Sequence, residues 1–410
     1  MTPLDTALRQ FADQNPLRMC MPGHKGKLPG AELDFTELTP TGNLYQGGEP
    51  FETDQALWAE RFGFAGCQFL TGGSTQGVHT ALALCCKPGE RVLLDRGCHK
   101  SAFDALALLD VEPEWMWDFD EHFQNYCGNF KTVCITSPDY YGNIRDIPAI
   151  AQKVHPHGGR LIVDGAHGAH LPFLGVDAFS GADLVVCSAH KTLPALGQSA
   201  LLFYQDFPPE EVRRRAAMYG SSSPSYLLTS SMDRARAWME EEGTGEYQRV
   251  AKWAARCRTR FPSLRTGMLD PMRLTLTSPD GNRAAALLEQ ENIFIEMSDS
   301  GHLVLILSGM DTSEELYRLE KLLKKLPLGD PPALPPRPRP DRVLSQREAL
   351  FAPVEYLPLD QCQDRIAAQP LAPYPPGIPI VAPGERISQK ELAYFAKIGY
   401  NKEQTGVVIE

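Results

Sequence analysis

From Phe51 to Phe207 the chain alternates short apolar runs with helical patterns and Gly-rich turns. The runs are Cys67-Gln68-Phe69-Leu70, Arg91-Val92-Leu93-Leu94, Thr132-Val133-Cys134-Ile135, Arg160-Leu161-Ile162-Val163 and Asp183-Leu184-Val185-Val186. Strands apolar on both faces and separated by helices predict a doubly wound α/β sheet covered on both sides. Ahead of it, Thr2 is placed as an N-cap, Pro3 at the first helical position, and Leu4, Leu8 and Phe11 on one face, so a short amphipathic helix is expected. Beyond a polar helix around Asp233 to Arg258 the period changes. A strand (Met272–Thr277), a helix (Asn282–Gln290), two more strands (Ile293–Met297, His302–Leu307) and a Lys-rich helix (Thr312–Leu326) predict a smaller α+β region. Residues 327–340 carry seven prolines, which fix φ and remove donors, and are expected to form an extended connector.

Composition narrows the function classes. A chain of 410 residues with 43% hydrophobic and 22% charged residues has room for two or three domains. Acidic residues outnumber Lys plus Arg, 51 to 40, which argues against nucleic acid held through its phosphates. No apolar run approaches the roughly 18–20 residues that span a bilayer, so no membrane partner is expected, and the N-terminus lacks a secretory pattern. Ten cysteines without paired metal or framework spacing suit a reducing cytoplasm, with Cys85-Cys86 as helix packing and no metal centre.

Four segments that follow strands carry candidate chemistry, because ligands of open α/β sheets bind at the strands' carboxyl ends. Thr71-Gly72-Gly73-Ser74-Thr75-Gln76-Gly77 precedes a helix, and its N–H groups with the Ser74 and Thr75 hydroxyls suit a phosphate; a plain helix cap is the alternative. Arg96-Gly97-Cys98-His99-Lys100-Ser101 offers an imidazole to stack on a planar ring, or merely a loop histidine. In Val163-Asp164-Gly165-Ala166-His167-Gly168-Ala169-His170 the Asp164 carboxylate suits a heteroaromatic N–H⁺, or caps a turn. His167 and His170 lack a third metal ligand. Finally, Ser188-Ala189-His190-Lys191-Thr192 puts a lysine directly after a strand, where burial can make it an amine nucleophile rather than a solvated cation. Each segment alone is weak. Their order, with Lys191 placed 27 residues beyond Asp164, is that of fold-type I pyridoxal 5′-phosphate (PLP) enzymes.

The chain also resembles the bacterial ornithine/lysine/arginine decarboxylase family. The resemblance is carried by Met21-Pro22-Gly23-His24-Lys25-Gly26, Asp34-Phe35-Thr36-Glu37-Leu38, Gly73-Ser74-Thr75, Cys98-His99-Lys100-Ser101, Thr136-Ser137-Pro138, Asp164 to Leu171 and Ser188 to Pro194. Further on, Ser223-Pro224-Ser225-Tyr226, Tyr374-Pro375-Pro376-Gly377-Ile378-Pro379 and Pro383-Gly384-Glu385 extend it. It implies an aspartate aminotransferase-like large domain with a mainly parallel sheet, completed by a smaller α+β C-terminal region. The implied division is an N-terminal helix and active-site segment (1–50), a PLP-binding domain (51–260), a small domain (261–326), the linker (327–340) and a C-terminal segment completing the small domain (341–410), in a compact member without the N-terminal wing domain.

By the same resemblance Lys191 carries PLP, Asp164 pairs with its ring nitrogen, and His99 and Ala166 cover its two faces. Ser74, Thr75, Ser188 and His190 serve the phosphate side, His167 lies near the phenolic oxygen and substrate carboxylate, and Ser222 or Ser223 reaches a neighbouring subunit's phosphate in a homodimer. Lys191, His99, Asp164 and His190 form the implied catalytic set. The donor of a proton to Cα stays open among Lys191, His99, His190 and Cys98. The expected reaction is α-decarboxylation of arginine, lysine or ornithine, arginine first, with aminotransfer, another lyase reaction or non-catalytic PLP binding as alternatives. A buried cationic side chain needs a carboxylate; Glu385 is the first candidate and Glu296 the second, each otherwise ordinary surface. Two positions depart from the family pattern: Gly165 stands where Glu is common, and Gly42-Asn43 where an acidic pair is frequent.

Overall fold

A computed structural model describes residues 1–117, 119, 123, 126, 128–265, 267–373 and 377–409. Tyr374, Pro375 and Pro376 of the C-terminal motif lie outside the described residues. Seven strands form the central sheet in the order β1-β8-β7-β6-β4-β2-β3. They are β1 (Gly66–Leu70), β2 (Arg91–Asp95), β3 (Glu112–Met116), β4 (Thr132–Thr136), β6 (Arg160–Asp164), β7 (Leu184–Ser188) and β8 (Ala200–Tyr204). Neighbours from β7 to β3 run parallel, and only β8 runs against its two neighbours.

Side chains alternate across the strands, so one strand feeds two cores. Leu93, Ile135, Val163 and Val185 pack with Trp58, Phe173 and Phe203 on one face. Val92, Leu94, Ile162 and Val186 pack on the other against Val78, Ala81 and Leu82 of α3 (Gly73–Cys85) and Phe103 of α4 (Lys100–Leu109). Here α3 and α4 follow α1 (Pro3–Asp13) and α2 (Phe51–Phe62) in the chain. The apolar runs did not reveal β3, because Glu112, Pro113 and Glu114 make a poor strand signal. Its place at the sheet edge tolerates a proline, since only one side of the strand needs donors.

A short pair, β5 (Asn143–Ile144) with β9 (Met268–Leu269), ties the loop after β4 to the chain leading into the second sheet. That sheet is antiparallel, in the order β10-β12-β11, from β10 (Arg273–Thr277), β11 (Met297–Ser298) and β12 (His302–Ile306). Of the expected strand over Ile293–Met297 only Met297 is in β11, which runs on to Ser298. Helix Ser313–Leu323 starts with a full capping box between Thr312 and Glu315. The N-terminal helix begins at Pro3 as expected, but Thr2 makes no side-chain cap; its hydroxyl lies 3.2 Å from that of Thr6 instead.

The C-terminal residues add a pair, β13 (Val354–Leu357) with β14 (Thr405–Val408). They are fastened to the central sheet by Arg96, which is 2% exposed at the end of β2. Its guanidinium donates to the carbonyls of Pro379 (2.9 Å) and Ile380 (3.2 Å) and to Glu385 Oε2 (2.8 Å), with the Trp115 and Trp117 rings about it. Arg337 of the Pro-rich connector also donates to the Pro379 carbonyl. Among the described residues no helix is long and apolar enough to cross a membrane.

Candidate active site

The parallel strands end together, and their carboxyl ends collect the residues singled out above. Lys191 lies on a single helical turn, Ala189–Thr192, directly after β7. Asp164 closes β6 beside it, 7% exposed, with Oδ1 accepting from the Ala166 N–H at 3.2 Å. Burial pushes the Asp164 carboxyl up, while the Lys191 charge and the Ala166 N–H pull it down. Burial lowers Lys191, opposed by Asp164 and Glu296 and reinforced by Arg273. The two groups thus sit in one poorly solvated space, where opposite charges count for more than in water.

His99 is the N-cap of α4, and its Nδ1 accepts from the Ser101 N–H at 3.2 Å. Burial, then the charges of Lys191 and Lys100, take its pKa down to about 4. The ring is therefore neutral near pH 7 and carries its hydrogen on Nε2. His167 is buried; its Nε2 lies 3.4 Å from Lys191 Nζ and its Nδ1 3.0 Å from Arg273 Nη2. Burial holds it well below the ordinary histidine range, reinforced by Lys191 and Arg273. His170 turns to a different partner, Asp270 Oδ1 at 2.7 Å, so the two histidines face apart. Burial raises Cys98 and keeps it a thiol.

Ser74 and Thr75 occupy the first turn of α3, which no side chain caps. Gly73 there has φ +71° and donates to the Gln198 carbonyl at 2.8 Å. His190 Nδ1 is 2.9 Å from the Ser199 carbonyl, so the turn and the histidine hang on neighbouring residues of the loop after Lys191. The first-turn N–H groups, two hydroxyls and helix dipole are chemistry suited to a phosphate. Ser188 Oγ is buried without a partner among the described residues, a polar atom in want of a ligand. Ala166 is buried between Asp164 and Ser188, whose N–H donates to its carbonyl at 3.3 Å. An acidic group for a ring nitrogen, an amine for an aldehyde, and donors for a phosphate fit PLP.

Two candidates stand apart. Ser222 is on the exposed loop Ser221–Ser223; that loop begins at Gly220, which packs against Tyr45 Oη and Gln76 Nε2 beside the first turn of α3. Glu385 is not open to a substrate: it is buried, with Oε2 taken by Arg96 and by the Ala382 N–H at 2.7 Å. It holds the C-terminal segment in place. Glu296, by contrast, is exposed and acts electrostatically on both Lys191 and Arg273.

The departures from the family pattern have packing reasons. A Cβ on Gly165 would come 2.8 Å from Phe179 Cε1 and 3.3 Å from Val185 Cγ1. Gly165→Glu is therefore expected to cost about 1–3 kcal/mol through overpacking, read as a lower urea midpoint; an unchanged midpoint would refute it. Gly42 has φ +73°, with Glu49 O 2.6 Å from where a Cβ would stand, and Asn43 Oδ1 accepts from the N–H groups of Tyr45 and Gln46.

Arg273 and Tyr140 escaped the sequence reading. Arg273, 2% exposed, lies in β10 among buried neighbours, and the Tyr140 ring is 4.5 Å from that of His167. The available signal was an arginine inside an alternating strand, a position that burial makes costly unless it has partners.

Fold and site together define a fold-type I PLP enzyme. Comparison with known proteins narrows the class. The model of the Orn/Lys/Arg decarboxylase major domain matches residues 2–128 and 119–275, and that of the C-terminal domain matches residues 339–404. The chain is 30% identical to the uncharacterized protein YaaO of Bacillus subtilis (strain 168), over 97% of this chain and 94% of that one. It is 27% identical to the arginine decarboxylase of Bacillus anthracis, over 97% and 92%. The lysine decarboxylase LdcF of Francisella novicida shares the fold, with TM-score 0.82 at 18% identity, over 100% of this chain and 81% of that one. The chain belongs to the Orn/Lys/Arg decarboxylase family, and is thereby a PLP-dependent amino-acid decarboxylase.

Proposed function

We propose that this enzyme removes the α-carboxylate of a basic amino acid as CO2 and releases the corresponding amine, with arginine ahead of lysine and ornithine. The observation that carries the reading is the convergence of Lys191, Asp164, His99 and His167 at the carboxyl edge of the sheet. Arginine comes first because arginine decarboxylases of Bacillus species match the chain over nearly its whole length.

PLP, when bound, supplies a protonated ring that takes up the electron pair released as the Cα–carboxylate bond breaks. Asp164 keeps the hydrogen on the ring nitrogen by offering a carboxylate in a space with little competing water. His99 and Ala166 would flank the ring. Ser74, Thr75, Ser188 and His190 would hold the phosphate, joined by Ser222 from a second subunit of a homodimer. Lys191, with its amine lowered by burial, is the nucleophile that anchors the cofactor.

The substrate's cationic end is assigned to Glu296, the carboxylate that faces Lys191 and Arg273, now that Glu385 is held by Arg96. Glu296→Gln is expected to raise KM for arginine about tenfold, the ~1.4 kcal/mol of one charge-assisted bond, with little change in kcat. An unchanged KM would remove Glu296 from the role.

The deciding experiment incubates the PLP-loaded protein separately with arginine, lysine and ornithine and measures CO2 and amine. Release of CO2 with agmatine from arginine is the expected result. CO2 from lysine or ornithine alone would move the substrate, and a keto acid would overturn decarboxylation in favour of aminotransfer. Full activity of a monomer in dilute solution would refute the shared site.

A further inference from the structure

Arg273 is a buried cation whose Nη2 meets a histidine nitrogen, an unusual choice of partner. A guanidinium has only donors, so at 3.0 Å His167 Nδ1 must be the acceptor and carry no hydrogen. A neutral imidazole has one N–H, which is then on Nε2. That atom lies 3.4 Å from Nζ of Lys191, and two N–H groups cannot both donate along one line. The lysine must accept through its lone pair. We propose that Arg273 is a positioning residue that fixes the His167 hydrogen on Nε2 and so presents Lys191 as a lone-pair-bearing amine whenever Nζ is free.

Other groups around the relay agree. Lys191 is faced by Asp164 from β6, His99 from the start of α4, His167, Glu296 ahead of β11 and Arg273 from β10. Asp164 and Glu296 favour the charged amine; burial and Arg273 oppose it, and burial is the largest effect. Arg273 faces Asp270, Glu296, Tyr140 and Asp139 as well. Its Nε and Nη1 have no hydrogen-bond partner among the described residues, so Nη2 to His167 is the directional bond it makes there. The charge of Arg273 and its bond through His167 therefore act on Lys191 in the same sense.

The inference rests on the reading of Lys191 as the reactive amine, but its test involves no substrate. Full-length protein freed of cofactor and labelled with ¹⁵N-histidine is observed by NMR, with His167→Gln used to identify the His167 signals. The expected result is a bare Nδ1 and a hydrogen on Nε2; a hydrogen on Nδ1 in the unaltered protein would overturn the proposal without any variant at Arg273. Arg273→Met should give a mixed tautomer. It should also raise the pH midpoint at which added PLP is captured, followed by absorbance, by about one unit, a tenfold loss of free amine at a given lower pH. The sign follows from losing a nearby positive charge that disfavours protonation. Arg273→Gln keeps a donor without charge and should retain the tautomer while the midpoint still rises, and Arg273→Lys should restore both. An Arg273→Met protein with unchanged ¹⁵N shifts and midpoint would overturn the role. Failure to release CO2 from any basic amino acid would leave the tautomer result intact, so the two readings fail separately.

Discussion

Asp164→Asn is expected to lower kcat by ~10²–10³-fold, the usual cost of removing one preorganised charge from a water-poor site. The folded chain should lose no stability. Among the described residues the buried Asp164 carboxylate accepts one hydrogen bond, from the Ala166 N–H, and burial pushes the carboxyl up. An acid whose folded pKa is raised contributes stability below its unfolded pKa and loses it as pH rises through the folded value. At neutral pH the ionised form is therefore a cost, and the isosteric amide removes it. The variant should match or exceed the parent in urea at pH 7, and the difference should shrink on acidification. CO2 release under saturating substrate measures the first effect and urea midpoints at two pH values the second. Near-normal turnover would sink the role of Asp164, and a large loss of stability would make it structural.

Arg96→Met should have the opposite profile, a stability loss of about 3–5 kcal/mol at neutral pH. Removing the guanidinium leaves Glu385 buried with the Ala382 N–H and the more distant Arg337 charge, takes the Arg96 bond from the Ile380 carbonyl and leaves the Pro379 carbonyl with Arg337 in place of two donors. Glu385 is already raised by burial, and losing its cation raises it further. The penalty should fall as pH drops toward the point where Glu385 takes a proton. The double variant Arg96→Met/Glu385→Gln should recover a substantial part of the loss by removing the buried charge, whereas additive losses would show that the pair is not coupled. His99 begins α4 three residues after Arg96, so fraying here should also weaken PLP binding.

Much of the candidate site was legible because its residues sit at strand ends. Asp164 closes one mostly apolar five-residue strand and Lys191 follows another, and a strand buried on both faces shows as a nearly continuous apolar run. The turn at Ser74 and the segment at His99 could be placed for the same reason. Residues whose roles come from distant contacts were not legible. Arg273 is 109 residues beyond Asp164 in sequence, on another sheet, and its strand pattern looks like any half-buried strand. Glu385 could be recognised as a motif residue, but not as the partner of Arg96, because that pairing depends on the path of the last seventy residues.

The local pattern thus determined the class of fold, the order of the candidate chemical groups and the lysine proposed as the anchoring amine. These rest on periodicity and on residue types a few positions apart, which the chain carries wherever it is folded. The tertiary structure alone decided which carboxylate is free and which is spent, why Gly165 and Gly42 admit no side chain, and which cation stands behind His167. Those are questions of space and of charge in a poorly solvated interior, settled only when segments more than a hundred residues apart share the same few ångströms.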